Sequence, residues 1–445
     1  MTELSLIPIE VRCRPPRVNS AELSKVITSF IRQTHRIIRP GDILSLANAS
    51  ELIASTVEFL RVCDVYCPPQ GIITSEAKYT FVMYTLQSPQ IYEGLSDYED
   101  MGIHSDMNGD GGGELLPSCT VLPLPNPSLE GLWESLFYGE TLSDSAHLKR
   151  GLLQYMRAAM IFSISGVNPH TVAWNRLLLF HGPPGTGKTS LCKALSHKLA
   201  IRLADVFPSA VLVEINAHSL FSRWFSESGK QVMLLFKRIH ELAEKPDCLL
   251  CILVDEVESL AAARQSAMKG NEPSDAIRVV NALLTQLDSL QRRHNVVVLA
   301  TSNITGAIDV AFIDRADKKI FIGMPGLQAR IALLKSSTEE MIEKGLIFSL
   351  ISSNEEMSNE VKYLSMSSHN GILNQKQIQQ LEVIARECET LSGRTLKKLP
   401  FLAYSESANG TTNSTSSHAI SFAAYIHGLE KAVREEISAK KNMAS

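Results

Sequence analysis

Apolar residues change their spacing along the chain, and the changes divide it into blocks. Between residues 121 and 325, five short and nearly continuous apolar runs, at 177–181, 211–215, 249–254, 296–300 and 319–322, alternate with amphipathic stretches. Such runs predict strands covered on both faces. Their alternation with helices predicts an α/β domain, three αβα layers around a five-stranded parallel sheet. After Pro325 the period becomes helical, most clearly at 328–335 and 377–390. A last helix is predicted at 422–440, capped by Ser421, with Tyr425, Leu429 and Val433 on one face. Region 326–445 is therefore expected to be a mainly helical small subdomain, carrying a Ser/Thr/Asn-rich polar insert at 404–418. Residues 1–92 read as a separate mixed α+β domain. A helix opens at Ser20-Ala21-Glu22 with Leu23, Val26, Ile27 and Ile31 on one face, a second is expected within 44–60, and a strand at 79–86.

Residues 93–120 predict a linker. Glu93, Asp97, Glu99, Asp100, Asp106, Asp110 and Glu114 occur without Lys or Arg, around Gly111-Gly112-Gly113. Within it, Asp106-Met107-Asn108-Gly109-Asp110-Gly111 matches the start of an EF-hand loop, but the twelfth position, which must supply a bidentate Glu, is Pro117. The acidic linker is the expected reading.

Composition narrows the function classes. With 43 Lys+Arg against 47 Asp+Glu the formal net charge is −4, which argues against a nucleic-acid coat or a binder of anionic membranes. The 8 Cys form no disulfide framework in a chain of 445 residues, and Cys63 and Cys67 have no second pair nearby with which to hold zinc. The start Met-Thr-Glu-Leu has no basic region, and Glu3, Glu10 and Arg12 interrupt its apolar run, so no signal peptide is expected. No apolar stretch nears the ~20 residues of a membrane span, and a reducing compartment, cytosol or nucleus, is the expectation. The glycosylation-like Asn409-Gly410-Thr411 and Asn413-Ser414-Thr415 then read as chance in a polar loop.

The chemistry concentrates after the first predicted strand of the α/β block. Gly182-Pro183-Pro184-Gly185-Thr186-Gly187-Lys188-Thr189 fits the P-loop pattern. Its glycines permit the tight path that turns successive N–H groups toward phosphate oxygens, and the helix that begins at Ser190 offers its N-terminal dipole to the same anion. Lys188 is placed to reach the β/γ-phosphates and the Thr189 hydroxyl to ligand Mg²⁺. A second acidic site is required, and the run from Cys248 to Val254 delivers Asp255 and Glu256 at a strand end. Asp255 suits the metal and its waters, Glu256 an attacking water. Cys248 and Cys251 have C-x-x-C spacing but sit within the strand, which disfavours a redox or zinc role. Asn303, closing Thr301-Ser302-Asn303, could contact the γ-phosphate or orient water, or simply form a turn. Arg315, between Asp314 and Asp317, reads either as a surface ion pair or as an arginine finger. Arg394, after Ser392-Gly393, could fold onto the phosphates or cap a surface.

In order and spacing these segments resemble an AAA+ ATPase. Gly131-Leu132-Trp133-Glu134-Ser135-Leu136, Trp174-Asn175-Arg176, and Ser222-Arg223-Trp224-Phe225-Ser226-Glu227-Ser228-Gly229-Lys230 are more specific, and are similar to the pachytene checkpoint family, also called thyroid-receptor-interacting AAA+ proteins. The resemblance is close over about 128–400 and weaker in the N-terminal domain. It implies an AAA+ large subdomain at 121–325, a lid at 326–445 and a substrate- or adaptor-binding domain at 1–92. It further implies a homohexameric ring, using ATP and Mg²⁺, that partly unfolds HORMA-domain proteins of the spindle checkpoint and the meiotic axis with a HORMA-fold adaptor. Nuclear and cytoplasmic residence follows, at chromosomes in meiosis and kinetochores in mitosis, with no direct contact to nucleic acid or membrane.

By the same resemblance Gly182 to Ser190 and Asp255 bind nucleotide and metal, Glu256 is the catalytic base, Asn303 sensor 1, Arg394 sensor 2, and Arg315 the finger in trans. Leu132 and Leu136 lie near the adenine, and Arg223, Trp224 and Phe225 form the substrate-gripping pore loop. An aromatic between polar residues suits sequence-tolerant gripping, although Trp224 could also be ordinary core. Two positions depart from the wider AAA+ pattern: Asp314-Arg315-Ala316-Asp317 stands where many relatives have Arg-Pro-Gly-Arg, and Ser226 follows the aromatic pair in place of Gly. A motor for microtubule or proteasomal clients, a nucleotide-gated chromatin scaffold and a DNA translocase remain as rivals. The intact Glu256 counts against the scaffold and the charge balance against the translocase.

Overall fold

The computed structural model describes residues 6–15, 20–63, 71–75, 77–87, 119–168, 170–217, 228–261, 275–304, 308–348, 373–408 and 419–444. The linker and its EF-hand-like segment up to residue 118, Cys67, the pore-loop residues Arg223, Trp224 and Phe225, and 409–418 lie outside them. The chain forms two compact units. One comprises 1–134, 149–182 and 188–321; the other comprises 135–148, 183–187 and 322–445.

Among the described residues the first unit holds three sheets, the smallest being the antiparallel pair β2 (Ile37–Ile38) and β4 (Ile72–Ile73). In the three-stranded N-terminal one, β1 (Leu6–Cys13) lies between β3 (Val57–Val62), antiparallel, and β5 (Lys78–Tyr84), parallel. Ile7, Ile9 and Val11 of β1 are buried in one cluster with Leu23, Ile27 and Ile31 of α1 (Ser20–Thr34), the helix expected there. The second helix expected within 44–60 is only α2 (Glu51–Thr56); β3 follows it directly. The reason is the period-two pattern of 59–62, which puts Leu60 and Val62 against the core and Arg61 on the other face, opposite Glu10 of β1.

The larger sheet has the order β11-β7-β10-β9-β8-β6. Its strands are β7 (Leu177–His181), β8 (Ser209–Asn216), β9 (Cys248–Asp255), β10 (Val296–Ser302) and β11 (Lys318–Phe321), five parallel neighbours as expected, plus β6 (Cys119–Leu124). The hydrophobic pattern does not predict this sixth strand. It pairs antiparallel with β8 at the edge and is only partly buried, so it lacks the continuous apolar run of its neighbours. Between β6 and β7 runs α3 (Leu142–Ile164), and between β10 and β11 the short α7 (Val310–Arg315). α5 (Ser228–Ala243) and α6 (Asp275–Leu290) pack with Leu250, Ile252 and Val254 of β9 on one face. α4 (Lys188–Arg202), which follows the P-loop, packs against β8, β9 and β10 on the other.

α4 is buried along nearly its whole length, and the run includes His197 and Lys198. Those polar side chains need partners, and Glu10 of the N-terminal sheet and the segment after β6 supply them. Lys198 Nζ stands 2.7 Å from Glu10 Oε2 and 2.9 Å from Glu134 Oε1. Arg202 reaches Glu10 Oε1 at 3.1 Å, and Arg61 Nη1 lies 2.8 Å from Glu134 Oε1. His197 Nε2 faces Glu130 at 3.5 Å while its Nδ1 accepts the Asn126 N–H. Burial alone would raise the Glu10 carboxyl. The Lys198 and Arg202 charges outweigh it, so its pKa falls below the ordinary 4.5. Glu134 and Glu130 are lowered as well, against burial, by Lys198 with Arg61 and by His197 respectively. Lys198 is raised, burial being outweighed by Glu10 and Glu134.

In the second unit α8 (Leu327–Glu343), α9 (Gln375–Glu387), α10 (Gly393–Ala408) and α11 (Phe422–Ala444) enclose one core, with β12 (Ile347–Phe348) and β13 (Ile420–Ser421) pairing in parallel. α9 starts in a capping box of Asn374 and Gln377. Ser421 Oγ accepts the Ala424 N–H, and Tyr425, Leu429 and Val433 are fully buried, as their spacing predicts. The polar insert begins later than expected. Residues 404–408 continue α10, because Ser405 and Ser407 return their hydroxyls to the Leu402 and Ala403 carbonyls.

Glu10→Gln removes one carboxylate from beside two buried cations and should destabilise the first unit by roughly 3–5 kcal/mol. Breaking the exposed Lys344–Glu340 pair should cost less than about 0.5 kcal/mol. Lowered carboxylates stabilise above their unfolded pKa and lose that contribution as pH falls through the folded one. Urea melts should therefore show wild-type stability draining below about pH 4.5, with a shallower acid limb in Glu10→Gln.

Candidate functional site

Three parallel strands of the first unit end side by side, and their C-terminal tips carry the chemistry. β7 runs into Gly182, whose N–H donates to the Ser302 carbonyl at the tip of β10 at 3.2 Å. Lys188 opens α4, is buried, and its Nζ donates to the Gly182 carbonyl at 2.9 Å. Burial, with the Lys188 charge beside it, holds the His181 imidazole below its usual range, so it is neutral at pH 7 and adds no cation to the loop.

Asp255 is the hub of the acidic side. Thr189 Oγ1 donates to its carboxylate at 3.1 Å from Oδ1 and 3.3 Å from Oδ2, so the two metal-binding residues expected from the sequence are in contact. Thr301 Oγ1 donates to the same Oδ1 and accepts the Glu256 N–H at 3.4 Å. Thr301 belongs to the segment singled out in the sequence, yet that reading rested on Asn303. Only the strand register, with Ala300 beside Val254, sets Thr301 level with Asp255. Asn303 donates its N–H to Glu258 Oε1 at 3.1 Å, and that contact was not foreseen either.

Glu256 leaves the strand at φ +61°, in the left-handed region that a side chain such as Glu enters at a cost. The turn is held by its carbonyl, which accepts from Ser259 Oγ and Ser259 N–H, and by the Val257 N–H on the Thr301 carbonyl. The path lifts Glu256 out of the sheet edge immediately beyond Asp255, while Val257 behind it is fully buried.

The remaining P-loop residues, Pro183 to Gly187, belong to the second unit. Gly185 has φ +75°, and a Cβ there would lie 2.7 Å from Ser392 Oγ. Its carbonyl accepts the Arg394 N–H at 3.0 Å, so Arg394 meets the loop through its backbone while its side chain is exposed. Leu136 is buried beside Gly187, and Leu132, in the first unit, is half-buried.

Arg315 is engaged within its own chain. Its Nε and Nη2 bind Asp288 Oδ1 and Oδ2 at 2.7 and 2.8 Å, and its Nη1 donates to the Ala311 carbonyl. Asp317, read from the sequence as one of its flanking acids, instead accepts the Asn175 N–H at 2.9 Å. Arg176, with φ +53°, is buried and reaches Ser163 and the Gln291 carbonyl. The Trp174-Asn175-Arg176 segment is thus a structural bracket at the start of β7. Cys248 and Cys251 are buried in β9 and burial raises both thiols, Cys251 to about 12. Among the described residues no group of three His, Cys, Asp or Glu could hold a metal ion. Also among them, no helix is long and apolar enough to cross a membrane.

Residues 178–324 match the AAA family, "ATPase family associated with various cellular activities", and 326–437 match the "TRIP13-like, AAA+ ATPase lid C-terminal domain". The Pachytene checkpoint protein 2 homolog of Arabidopsis thaliana is 51% identical over 296 residues, 64% of this chain and 61% of its own length. That of Oryza sativa subsp. indica is 46% identical over 351 residues, 75% and 70% respectively. The Homo sapiens homolog is 44% identical over 330 residues, 72% and 70%. The solved structure of C. elegans PCH-2 aligns over 98% of this chain and 100% of its own at 31% identity, with a TM-score of 0.71. The matches thus span between about three-fifths and seven-tenths of these curated relatives.

The left-handed backbone at Glu256 makes a stability prediction. Asn tolerates this region better than longer side chains do, so Glu256→Asn should be more stable than Glu256→Gln by about 0.5–1 kcal/mol in matched thermal melts. Equal melting temperatures would show that the turn stores no strain.

Proposed function

The chain belongs to the Pachytene checkpoint protein 2 family of AAA ATPases, and on that premise we propose that it hydrolyses ATP to remodel HORMA-domain proteins as a hexameric ring. The observation that carries the catalytic part is the joined tip of three strands. There Thr189 and Thr301 both bond Asp255, and Glu256 projects from the strained turn next to it.

Glu256 takes a proton from water as the water oxygen bonds to the γ-phosphorus, and the bond to the β,γ-bridging oxygen breaks to leave ADP and phosphate. The paired hydroxyls hold Asp255 in one rotamer, so the carboxylate is oriented before substrate arrives. The adjoining oxygens of Thr189 and Asp255 are a hard donor set that fits Mg²⁺ and its waters. Bound there, the ion would neutralise charge on the β- and γ-phosphates. Lys188 would exchange the Gly182 carbonyl for phosphate oxygen. Asn303 and Arg394 serve as the two sensors and Leu132 and Leu136 as adenine neighbours. Arg223, Trp224 and Phe225 serve as the pore-loop grip.

Substrate choice follows from family membership and the pore-loop match. It extends to HORMA proteins of the spindle checkpoint and meiotic axis, delivered by a HORMA-fold adaptor, with residence in nucleus and cytoplasm. The test is steady-state ATP hydrolysis with and without a closed HORMA-domain protein and its adaptor. Stimulation in wild type, lost in Glu256→Gln with nucleotide binding kept, and hydrolysis uncoupled from remodelling in Trp224→Ala are expected. Glu256→Gln should lower kcat by about 10²–10⁴. Hydrolysis indifferent to HORMA proteins would keep the ATPase and point to another client.

A finger role for Arg315 requires Asp288 to release it. Arg315→Ala should lower kcat by about 10³ or more, whereas Asp288→Asn, which frees the guanidinium, should leave kcat within a few-fold. Equal rates for both variants would remove Arg315 from the mechanism.

A further inference from the structure

A loop that turns its amides inward to bind an anion turns carbonyls outward, and each outward carbonyl needs a donor. In this P-loop the donors can be named. The Gly182 carbonyl accepts from Lys188 Nζ, the Pro183 carbonyl from Thr186 Oγ1 at 3.0 Å, and the Gly185 carbonyl from the Arg394 N–H. The Gly187 carbonyl, which precedes α4 and so accepts that helix's first backbone bond, takes a second donor, the hydroxyl of Tyr138 at 3.1 Å. Tyr138 is 44 or more residues from the loop in sequence, and neither the P-loop pattern nor the strand alternation points to it.

Its placement is specific. Gly187 has φ +91°, and a Cβ there would stand 3.3 Å from Tyr138 Oη and 3.8 Å from its ring Cε1. The ring therefore packs against a loop residue that carries no side chain. Tyr138 is only 6% exposed, and its own N–H donates to Ser145 Oγ at 3.1 Å, so it is anchored at both ends. In a trans peptide the carbonyl and the following N–H point in opposite directions. A fixed side-chain donor on the Gly187 oxygen, added to the first bond of α4, therefore steadies the direction of the Lys188 N–H. That amide begins α4, and it is one of the four N-terminal donors that a helix leaves without an internal partner.

We propose that Tyr138 is a positioning residue of the nucleotide site: its hydroxyl holds the Gly187 carbonyl outward and so aims the Lys188 amide at the phosphates of a nucleoside di- or triphosphate. The assignment rests on the ATPase reading and deepens it. Because a diphosphate and a triphosphate meet the same amide, Tyr138 supports ground state and transition state alike. It acts on binding more than on the chemical step.

Full-length Tyr138→Phe keeps the ring and removes one oxygen. The Kd for ADP and the KM for ATP should each rise about three- to tenfold, the range of one lost hydrogen bond, with kcat within about twofold. The melting temperature without nucleotide should stay at the wild-type value, while the rise on adding ADP shrinks. Unchanged Kd and KM would overturn the assignment. So would a fall in kcat at constant KM with a lower melting temperature without nucleotide, the mark of a purely structural tyrosine. A wild-type chain that binds ADP but does not turn over ATP would sink the ATPase reading, and the ADP comparison would still decide on Tyr138. A wild-type chain blind to ADP would overturn both.

Discussion

The burial of α4 on every side is the constraint on which the rest of the first unit depends. Its N-terminus must stay open toward an anion, because that is where its unpaired amides and dipole act. Its body lies between the large sheet and the N-terminal sheet, so Lys198 on its C-terminal half is cut off from water and Arg202 is only partly exposed. Three carboxylates, Glu10, Glu130 and Glu134, answer three cations, Arg61, Lys198 and Arg202. Leaving Glu10 or Lys198, the two most buried of the six, alone in that environment is far more costly than the pairing is favourable. The N-terminal domain is thereby committed to the helix that begins at the phosphate site. Glu10 and Arg61 face each other across β1 and β3, so the commitment is made by a single cross-strand pair.

The site itself shows the same economy of partners. Asp255 takes hydroxyl bonds from two elements, α4 and β10, and these fix the carboxylate before any ligand arrives. The neighbouring Glu256 is delivered by a strained turn that backbone bonds from β10 and the following helical turn hold closed. Strain at such a position is tolerated where the surroundings over-determine it, and the fully buried Val257 supplies that anchor. Within the second unit, the outward carbonyls of Gly185 and Gly187 are matched by donors from Arg394 and Tyr138. Those donors complete the accounting that an anion-binding loop demands.

Much of this was legible in the residue order. Five buried parallel strands announce themselves as continuous apolar runs, and the P-loop with its paired acids follows from spacing, since each glycine and hydroxyl has a local task. The helices with Tyr425, Leu429 and Val433 or with Leu23, Ile27 and Ile31 inside follow from a 3.6-residue period. Elements that draw stability from a neighbour are less visible. The edge strand β6 has only one parallel-sheet neighbour to cover it, and β3 was masked by a helical start at Glu51. The last turn of α10 is polar because its serines satisfy themselves on the helix backbone.

By itself, then, the sequence determined the class of fold, the phosphate loop, the acidic pair and the family resemblance, because these depend on residue type and short spacing. Tertiary structure alone decided which distant groups complete them. Thr301 reaches Asp255 through strand register, Tyr138 reaches Gly187 across 49 residues, and Glu10 meets Lys198 across 188. Arg315 is taken up by Asp288 and Asp317 by Asn175, although the sequence sets Arg315 and Asp317 only two residues apart. Spacing cannot disclose such pairs. A buried charge or an outward carbonyl states only that it needs a partner, and the packing of separate elements decides which side chain comes within 3 Å.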